Sequence, residues 1–129
     1  MLRMLIFGAG IVAGGGAALA LGQPDTRGAA APAAVAHCPY SAARLAVGAE
    51  LRCSCPPSAT MSGSAWGSGP YTADSVICRA AVHAGAIRRE GGEVRLRVTA
   101  GRERYRGSER RGVITGTWGA YTSSMEFDR

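Results

Sequence analysis

The chain contains four cysteines, and no other feature of the sequence restricts its fold as strongly. Cys38, Cys53, Cys55 and Cys78 are an even set, without C-x-x-C pairs or histidines at the spacing that zinc sites use. Such a set favours two disulfides, which form and persist in oxidising compartments. The sequence therefore predicts a disulfide-bonded protein that is secreted or periplasmic, with no bound metal and no cofactor.

The spacing of these cysteines limits their pairing without deciding it. Cys53 and Cys55 are too close along the chain to bridge each other comfortably. Two pairings remain open: Cys38–Cys53 with Cys55–Cys78, or Cys38–Cys55 with Cys53–Cys78. In either case each bridge is expected to stabilise the fold by about 3 kcal/mol in the chain-entropy model.

The first 22 residues have the pattern of a secretory signal. A short positive start is followed by an uncharged apolar stretch that ends in small residues. Ala18 and Ala20, or Ala20 and Gly22, offer cleavage points. An uncleaved N-terminal anchor is the alternative, because about 20 apolar residues can cross a bilayer. Export is expected in both cases, and the membrane would be contacted only through an uncleaved segment.

The remaining chain divides into a linker and one domain. Residues 23–36 are rich in alanine and proline and contain too few large apolar side chains to fold, which predicts a linker. Residues 37–129 have the size of one small domain, which buries only a little over 60% of its unfolded surface. A domain of this size gains from disulfides.

The stretch around Cys78 has the pattern of a buried helix. Thr72 or Asp74 is a candidate N-cap, the helix is expected to continue to Ala84, and Gly85 provides a left-handed end. Two polar side chains interrupt a surface that is otherwise apolar almost all round, which predicts a helix enclosed by the rest of the domain.

The segments around this helix have the pattern of short strands. Residues 93–99 alternate apolar and polar side chains, as expected for a half-buried strand. The predicted class is α+β, with one central helix and short antiparallel strands. Further strand candidates are residues 112–115 and 123–129, with weaker ones at 49–53 and 63–67.

Several stretches of the chain resemble an LCCL domain. The similarity runs from about Cys38 to Phe127 and includes all four cysteines. It implies a central α-helix wrapped by two β-sheets, and it implies the pairs Cys38–Cys53 and Cys55–Cys78. The matching stretches are CSCP at 53–56, SAWGSGPYTADSVICRAAVHAGAI at 64–87, GGEVRLRV at 91–98, YRGSERRGV at 105–113 and SSMEF at 123–127.

Two positions depart from the family pattern. Met125 stands where an aromatic residue is usual, and Arg111 stands where asparagine often precedes Gly112. The second departure predicts an arginine at a left-handed turn, a conformation that costs most residues energy.

No arrangement of residues indicates catalysis. The stretch GSGPYT lacks the third glycine of a phosphate-binding loop, and its Pro70 has no N–H to donate. No serine lies in a G-x-S-x-G elbow, and a disulfide would consume the thiol of Cys78. We expect His83 to be structural, with a hydrogen bond within the core or a place beside Arg79. The sequence therefore predicts a protein that is not an enzyme.

Arginine is concentrated in one segment. Residues 88–111 contain nine arginines and four glutamates, and their net charge of +5 equals that of the whole chain after residue 28. Because lysine is absent, codon bias in a GC-rich genome is an alternative explanation. Arginine binds carboxylate, sulfate and phosphate groups bidentately. The candidate ligand-binding residues are Arg95, Arg97, Arg104, Arg106, Arg110 and Arg111.

Two functional hypotheses follow from these observations. The first is an exported, non-catalytic module that binds an anionic glycan or a lipopolysaccharide-type envelope ligand through the arginine-rich face; family precedent supports this ligand class. The second is a structural or protein-interaction module that binds an envelope protein and has no small-ligand site. Nucleic acid is not an expected partner, because export separates the chain from it. A few aromatic side chains are able to stack on a sugar ring, although most of them are expected in the core: Trp66, Tyr71, Tyr105, Trp118 and Tyr121.

Overall fold

The computed structural model describes residues 34–128, so the predicted signal segment of residues 1–22 and residues 23–33 of the predicted linker lie outside the described part. The elements confirm an α+β fold with one helix among antiparallel strands. Within residues 34–128, no helix has the length and apolar character needed to cross a membrane. The elements are β1 (Glu50–Cys55), a 3₁₀ helix (Pro57–Thr60), β2 (Tyr71–Thr72), α1 (Ile77–Ala84), β3 (Gly92–Ala100), β4 (Glu109–Arg110), β5 (Val113–Ile114) and β6 (Ser123–Phe127).

The described strands form a four-stranded antiparallel sheet in the order β1-β3-β6-β2 and a separate β4–β5 hairpin. Strand β3 is central, with Leu96 opposite Leu51 of β1 and Val98 opposite Met125 of β6. The alternation predicted for residues 93–99 is confirmed, since Val94, Leu96 and Val98 are buried. The predicted strand at 63–67 is wrong, because this segment forms only isolated bridges.

Helix α1 packs into a core shared with the inner face of the sheet. Ile77, Ala80 and Ala81 are fully buried and belong to one cluster with the apolar side chains of β3 and β6. Alanine side chains on the helix allow neighbouring elements to approach closely, which suits a helix enclosed on most sides. The prediction of a central helix is therefore confirmed.

The predicted start of the helix is wrong, whereas the predicted end is right. The helix begins at Ile77 and has no side-chain cap bond at Val76. Its first N–H groups are satisfied by main-chain carbonyls instead, since Val76 donates to Ser64 and Ile77 to Tyr40. Gly85 ends the helix in the left-handed conformation, with φ of 84°. Of the two predicted caps, Thr72 lies in β2 and Asp74 is exposed in the turn that follows.

The disulfides are Cys38–Cys53 and Cys55–Cys78, the pairing that the family resemblance implies. They lie against each other, with 3.6 Å between the Sγ atoms of Cys38 and Cys55. Among residues 34–128 no cysteine is free. The close group formed by three of these sulfur atoms therefore offers no thiolate to a metal.

Candidate functional site

The outer face of the sheet contains two of the predicted ligand residues, Arg95 and Arg97. Both are exposed on β3, as the alternation predicts. Arg97 has Glu50 opposite it on β1 and Glu126 opposite it on β6. The positive charge of β3 is thus offset by acidic residues on the neighbouring strands. Among the described residues, this face carries Arg52, Arg95 and Arg97 together with Glu50, Glu93, Glu126 and Asp128, and Arg52 forms an ion pair with Glu93.

The other predicted arginines lie on the loops after β3 and on the β4–β5 hairpin. Arg104 is exposed and lines a depression beside Trp118. Arg106 is exposed, and its carbonyl accepts a hydrogen bond of 2.8 Å from the Ser68 hydroxyl. Arg110 donates from Nη1 to the Ser68 carbonyl at 3.1 Å. The predicted residues are therefore distributed over several surfaces instead of one basic face.

Arg111 lies at the end of the helix. Its φ of 51° confirms the left-handed turn position predicted for it. Its Nη1 donates a 2.7 Å hydrogen bond to the carbonyl of His83 in the last turn of α1. A cation at this position interacts favourably with the negative end of the helix dipole. This bond positions the Arg111 guanidinium against Gly85 at the end of the helix.

His83 is fully buried and forms the structural contacts predicted for it. Its Nδ1 lies 2.8 Å from the Tyr71 hydroxyl, and its Nε2 lies 3.2 Å from both the carbonyl and the hydroxyl of Ser108. Burial lowers the pKa of the imidazole, and the charges of Arg110 and Arg111 lower it further, against an opposing hydrogen bond to the Ser108 backbone. Arg79, four positions earlier on the helix, donates to the Thr60 carbonyl, so the hydrogen bonds of His83 are those to Tyr71 and Ser108.

We expect the stability of the domain to fall as the pH drops below about 6.5, because His83 titrates differently in the two states. Its pKa in the unfolded chain is the ordinary 6.5, and the folded value is lower. Just below pH 6.5 the unfolded chain therefore binds more protons, so the free energy of unfolding decreases towards acid. Urea denaturation of the parent and of H83Q at pH 7.5 and pH 5.5 measures this difference.

The H83Q variant should also be destabilised at pH 7.5, by the roughly 1–3 kcal/mol typical of disturbed buried hydrogen bonds. In H83Q the free energy of unfolding should decrease less between pH 7.5 and pH 5.5 than in the parent. The matched variant H37Q should show the same decrease as the parent, because His37 is exposed. If H83Q keeps the parent's full pH dependence, the titration of His83 is not its cause.

A second arginine group lies where α1 ends, and we call it the helix-end cluster: Arg88, Arg89 and Arg111. These side chains line a depression of about 510 Å³. Its apolar lining comes from the end of α1 and the turn after it, at Val82, Ala86 and Ile87. Glu90 is the one acid among the described lining residues. An apolar surface lined by three arginine residues suits an anion that also has an apolar part.

The backbone of this cluster is fixed from two sides. The turn after the helix closes through a 2.9 Å bond from the Gly91 N–H to the Arg88 carbonyl. The Thr60 hydroxyl donates to the Arg89 carbonyl at 2.7 Å. Gly91 has a φ of 99° and packs on the carbonyl of Cys55, where a Cβ atom would lie only 2.3 Å away. The turn is therefore held against β1.

Only one member of this cluster, Arg111, is among the ligand residues that the sequence predicts. Arg88 and Arg89 belong to the charged segment of residues 88–111, but they were not among the predicted ligand residues. Their proximity to the β4–β5 hairpin is a tertiary feature, since the Arg89 guanidinium lies beside Gly112. The local signal for them is their position three and four residues after Gly85, which ends the helix.

A family model, the LCCL domain, matches residues 34–125. The match covers most of the chain, including all four cysteines, helix α1 and the helix-end cluster. No curated protein matches the chain.

Proposed function

We propose that this chain, which belongs to the LCCL domain family, is an exported module that binds an anionic glycan or a lipopolysaccharide-type ligand of the cell envelope. The domains of this family are in general non-catalytic binding domains. The helix-end cluster carries this proposal, because it combines three guanidinium groups with an apolar surface. The two disulfides are consistent with an oxidising compartment outside the cytoplasm.

The chemistry of the cluster favours an amphipathic anion over a purely polar one. Arginine donates two parallel hydrogen bonds to a phosphate or carboxylate group, which fixes the orientation of the anion. Ala86 and Ile87, which are only half-buried, give an acyl chain or the apolar face of a sugar a place to pack. A phosphorylated, acylated sugar has both parts, as in the lipid portion of lipopolysaccharide.

Binding of purified lipopolysaccharide by the full chain tests this proposal. Raising the salt from 0.1 M to 1 M shortens the screening length from about 10 Å to about 3 Å, so we expect the affinity to fall at least roughly tenfold. The matched control is the same lipopolysaccharide after removal of its phosphates, which should bind at least roughly tenfold more weakly. The proposal would be contradicted by equal affinity for intact and dephosphorylated lipopolysaccharide, or by an affinity that does not change with salt concentration.

The second candidate function is a protein-interaction module of the envelope. The outer face of the sheet favours it, because this face has a groove of about 330 Å³ and alternating charges that a complementary protein surface could match. Charge pairs of this kind contribute more to specificity than to affinity. A photocrosslinking side chain at position 97 that captures one envelope protein, with none captured from position 88, would favour this candidate.

A further inference from the structure

Trp118 is the exception among the aromatic residues expected in the core. Tyr71 and Tyr105 are buried, and Trp66 is partly buried, whereas 48% of Trp118 is exposed. The exposed indole offers a flat apolar face and a polar N–H group that a ligand can contact. Neither proposed role of the arginine residues uses this side chain.

The Trp118 ring is held in place by its neighbours. Its backbone forms two 2.8 Å hydrogen bonds with Tyr105, one in each direction. Its ring centroid lies 5.0 Å from that of Trp66, with the planes tilted by 53°. Trp66 in turn lies directly on the backbone of Gly116, where a Cβ atom would collide with the indole. This support preorganises the exposed ring, which lowers the ordering cost of binding.

Polar side chains surround the exposed ring. Glu103, Arg104 and Thr117 line a shallow, open depression of about 490 Å³ together with Trp118. Across the part of the chain that the structure describes, neither Glu103 nor Arg104 forms an ion pair or a side-chain hydrogen bond. Their charges are opposite, so the site has no net charge to attract an anion.

We propose that Trp118, Glu103 and Arg104 form a binding site for a neutral sugar ring, distinct from the helix-end cluster. One face of a pyranose consists largely of C–H groups and packs on the flat indole surface. The hydroxyl groups at the edge of the sugar donate to the Glu103 carboxylate and accept from the Arg104 guanidinium. A net-neutral pair of this kind serves a neutral saccharide better than an acidic one.

The test is a titration of the full chain, with disulfides intact and ¹⁵N-labelled tryptophan, against three neutral β-1,4-linked hexasaccharides: those of glucose, mannose and N-acetylglucosamine. The indole N–H signals report on the two tryptophans of the chain. With at least one hexasaccharide, we expect a saturable shift of the Trp118 signal and an affinity that is unchanged between 0.1 M and 1 M salt.

Variants separate this site from other exposed aromatic surface. W118A should weaken binding at least tenfold, and E103Q/R104Q at least fivefold while the ring stays in place. The matched control Y40A removes another exposed aromatic residue, 73% exposed, and should bind like the parent. The melting temperature of each variant shows whether the variant is folded. If W118A is unfolded, the affinity of E103Q/R104Q decides whether the sugar site exists.

Three results would overturn the sugar site: no saturable shift with any of the three hexasaccharides, an equal loss in Y40A, or full affinity in E103Q/R104Q. These outcomes are independent of the lipopolysaccharide experiment. That experiment depends on salt and phosphate, whereas neutral saccharide binding at Trp118 depends on neither.

Discussion

The double substitution C55A/C78A is expected to lower the free energy of unfolding by about 2–5 kcal/mol, the usual cost of removing a native disulfide from a small disulfide-bonded domain. This bridge joins residues 23 positions apart in sequence and links the end of β1 to the first turn of α1. Without it, the unfolded chain gains conformational freedom. Both side chains are also buried, so their truncation to alanine removes packing in the core.

Urea denaturation under non-reducing conditions measures this effect, and C38A/C53A is the matched comparison. Its bridge closes a shorter loop of 15 positions, which lowers the expected entropic contribution by about 0.4 kcal/mol relative to Cys55–Cys78. Cys38 is also less buried than the other three cysteines. A loss below about 1 kcal/mol in C55A/C78A would show that this bridge does not support the helix as the fold implies.

The second large effect is expected in ligand binding. R88Q/R89Q should weaken lipopolysaccharide binding by roughly 30-fold or more, because a hydrogen bond to a charged group contributes about 1.5–3 kcal/mol. R95Q/R97Q should change the affinity less than roughly threefold, since Glu50 and Glu126 already offset the charge of Arg97. Both variants remove two positive charges, so a difference between them reports the position of the charge and not its total.

Calorimetric titration of both variants at one salt concentration provides the comparison. Their melting temperatures should stay close to that of the parent, because exposed ion pairs contribute only about 0–1 kcal/mol each. Equal losses in the two variants would mean that the ligand senses overall charge. A larger loss of affinity in R95Q/R97Q than in R88Q/R89Q would indicate that the ligand binds at the outer face of the sheet.

Local patterns in the sequence predicted those features of the fold that depend on neighbouring residues. The alternation in β3 placed Arg95 and Arg97 on the exposed side, and Gly85 marked the end of α1. The family resemblance implied the disulfide pairing, which spacing alone left open. The start of the helix was missed because carbonyls of Ser64 and Tyr40, supplied by other segments, replace the side-chain cap.

The candidate site was harder to predict because it depends on contacts between distant segments. The charge balance of the outer face arises from strand register, which places Glu50 and Glu126 beside Arg97. The helix-end cluster forms because the β4–β5 hairpin folds against the end of α1, which brings Arg111 to the carbonyl of His83. Neither the strand register nor the packing of the hairpin can be read from the number of arginines in a segment. The arginine-rich segment therefore predicted one basic face, whereas the structure has several separate groups.

We propose the helix-end cluster as the place where this domain binds an anionic envelope ligand. The most direct measurement is a map of backbone amide shifts of the full chain during titration with a water-soluble, acylated glucosamine phosphate. If the ligand binds there, we expect saturable shifts concentrated at Gly85, at Arg88 and Arg89, and at Gly112. Shifts centred on Arg95 and Arg97, or no saturable shifts at all, would contradict it.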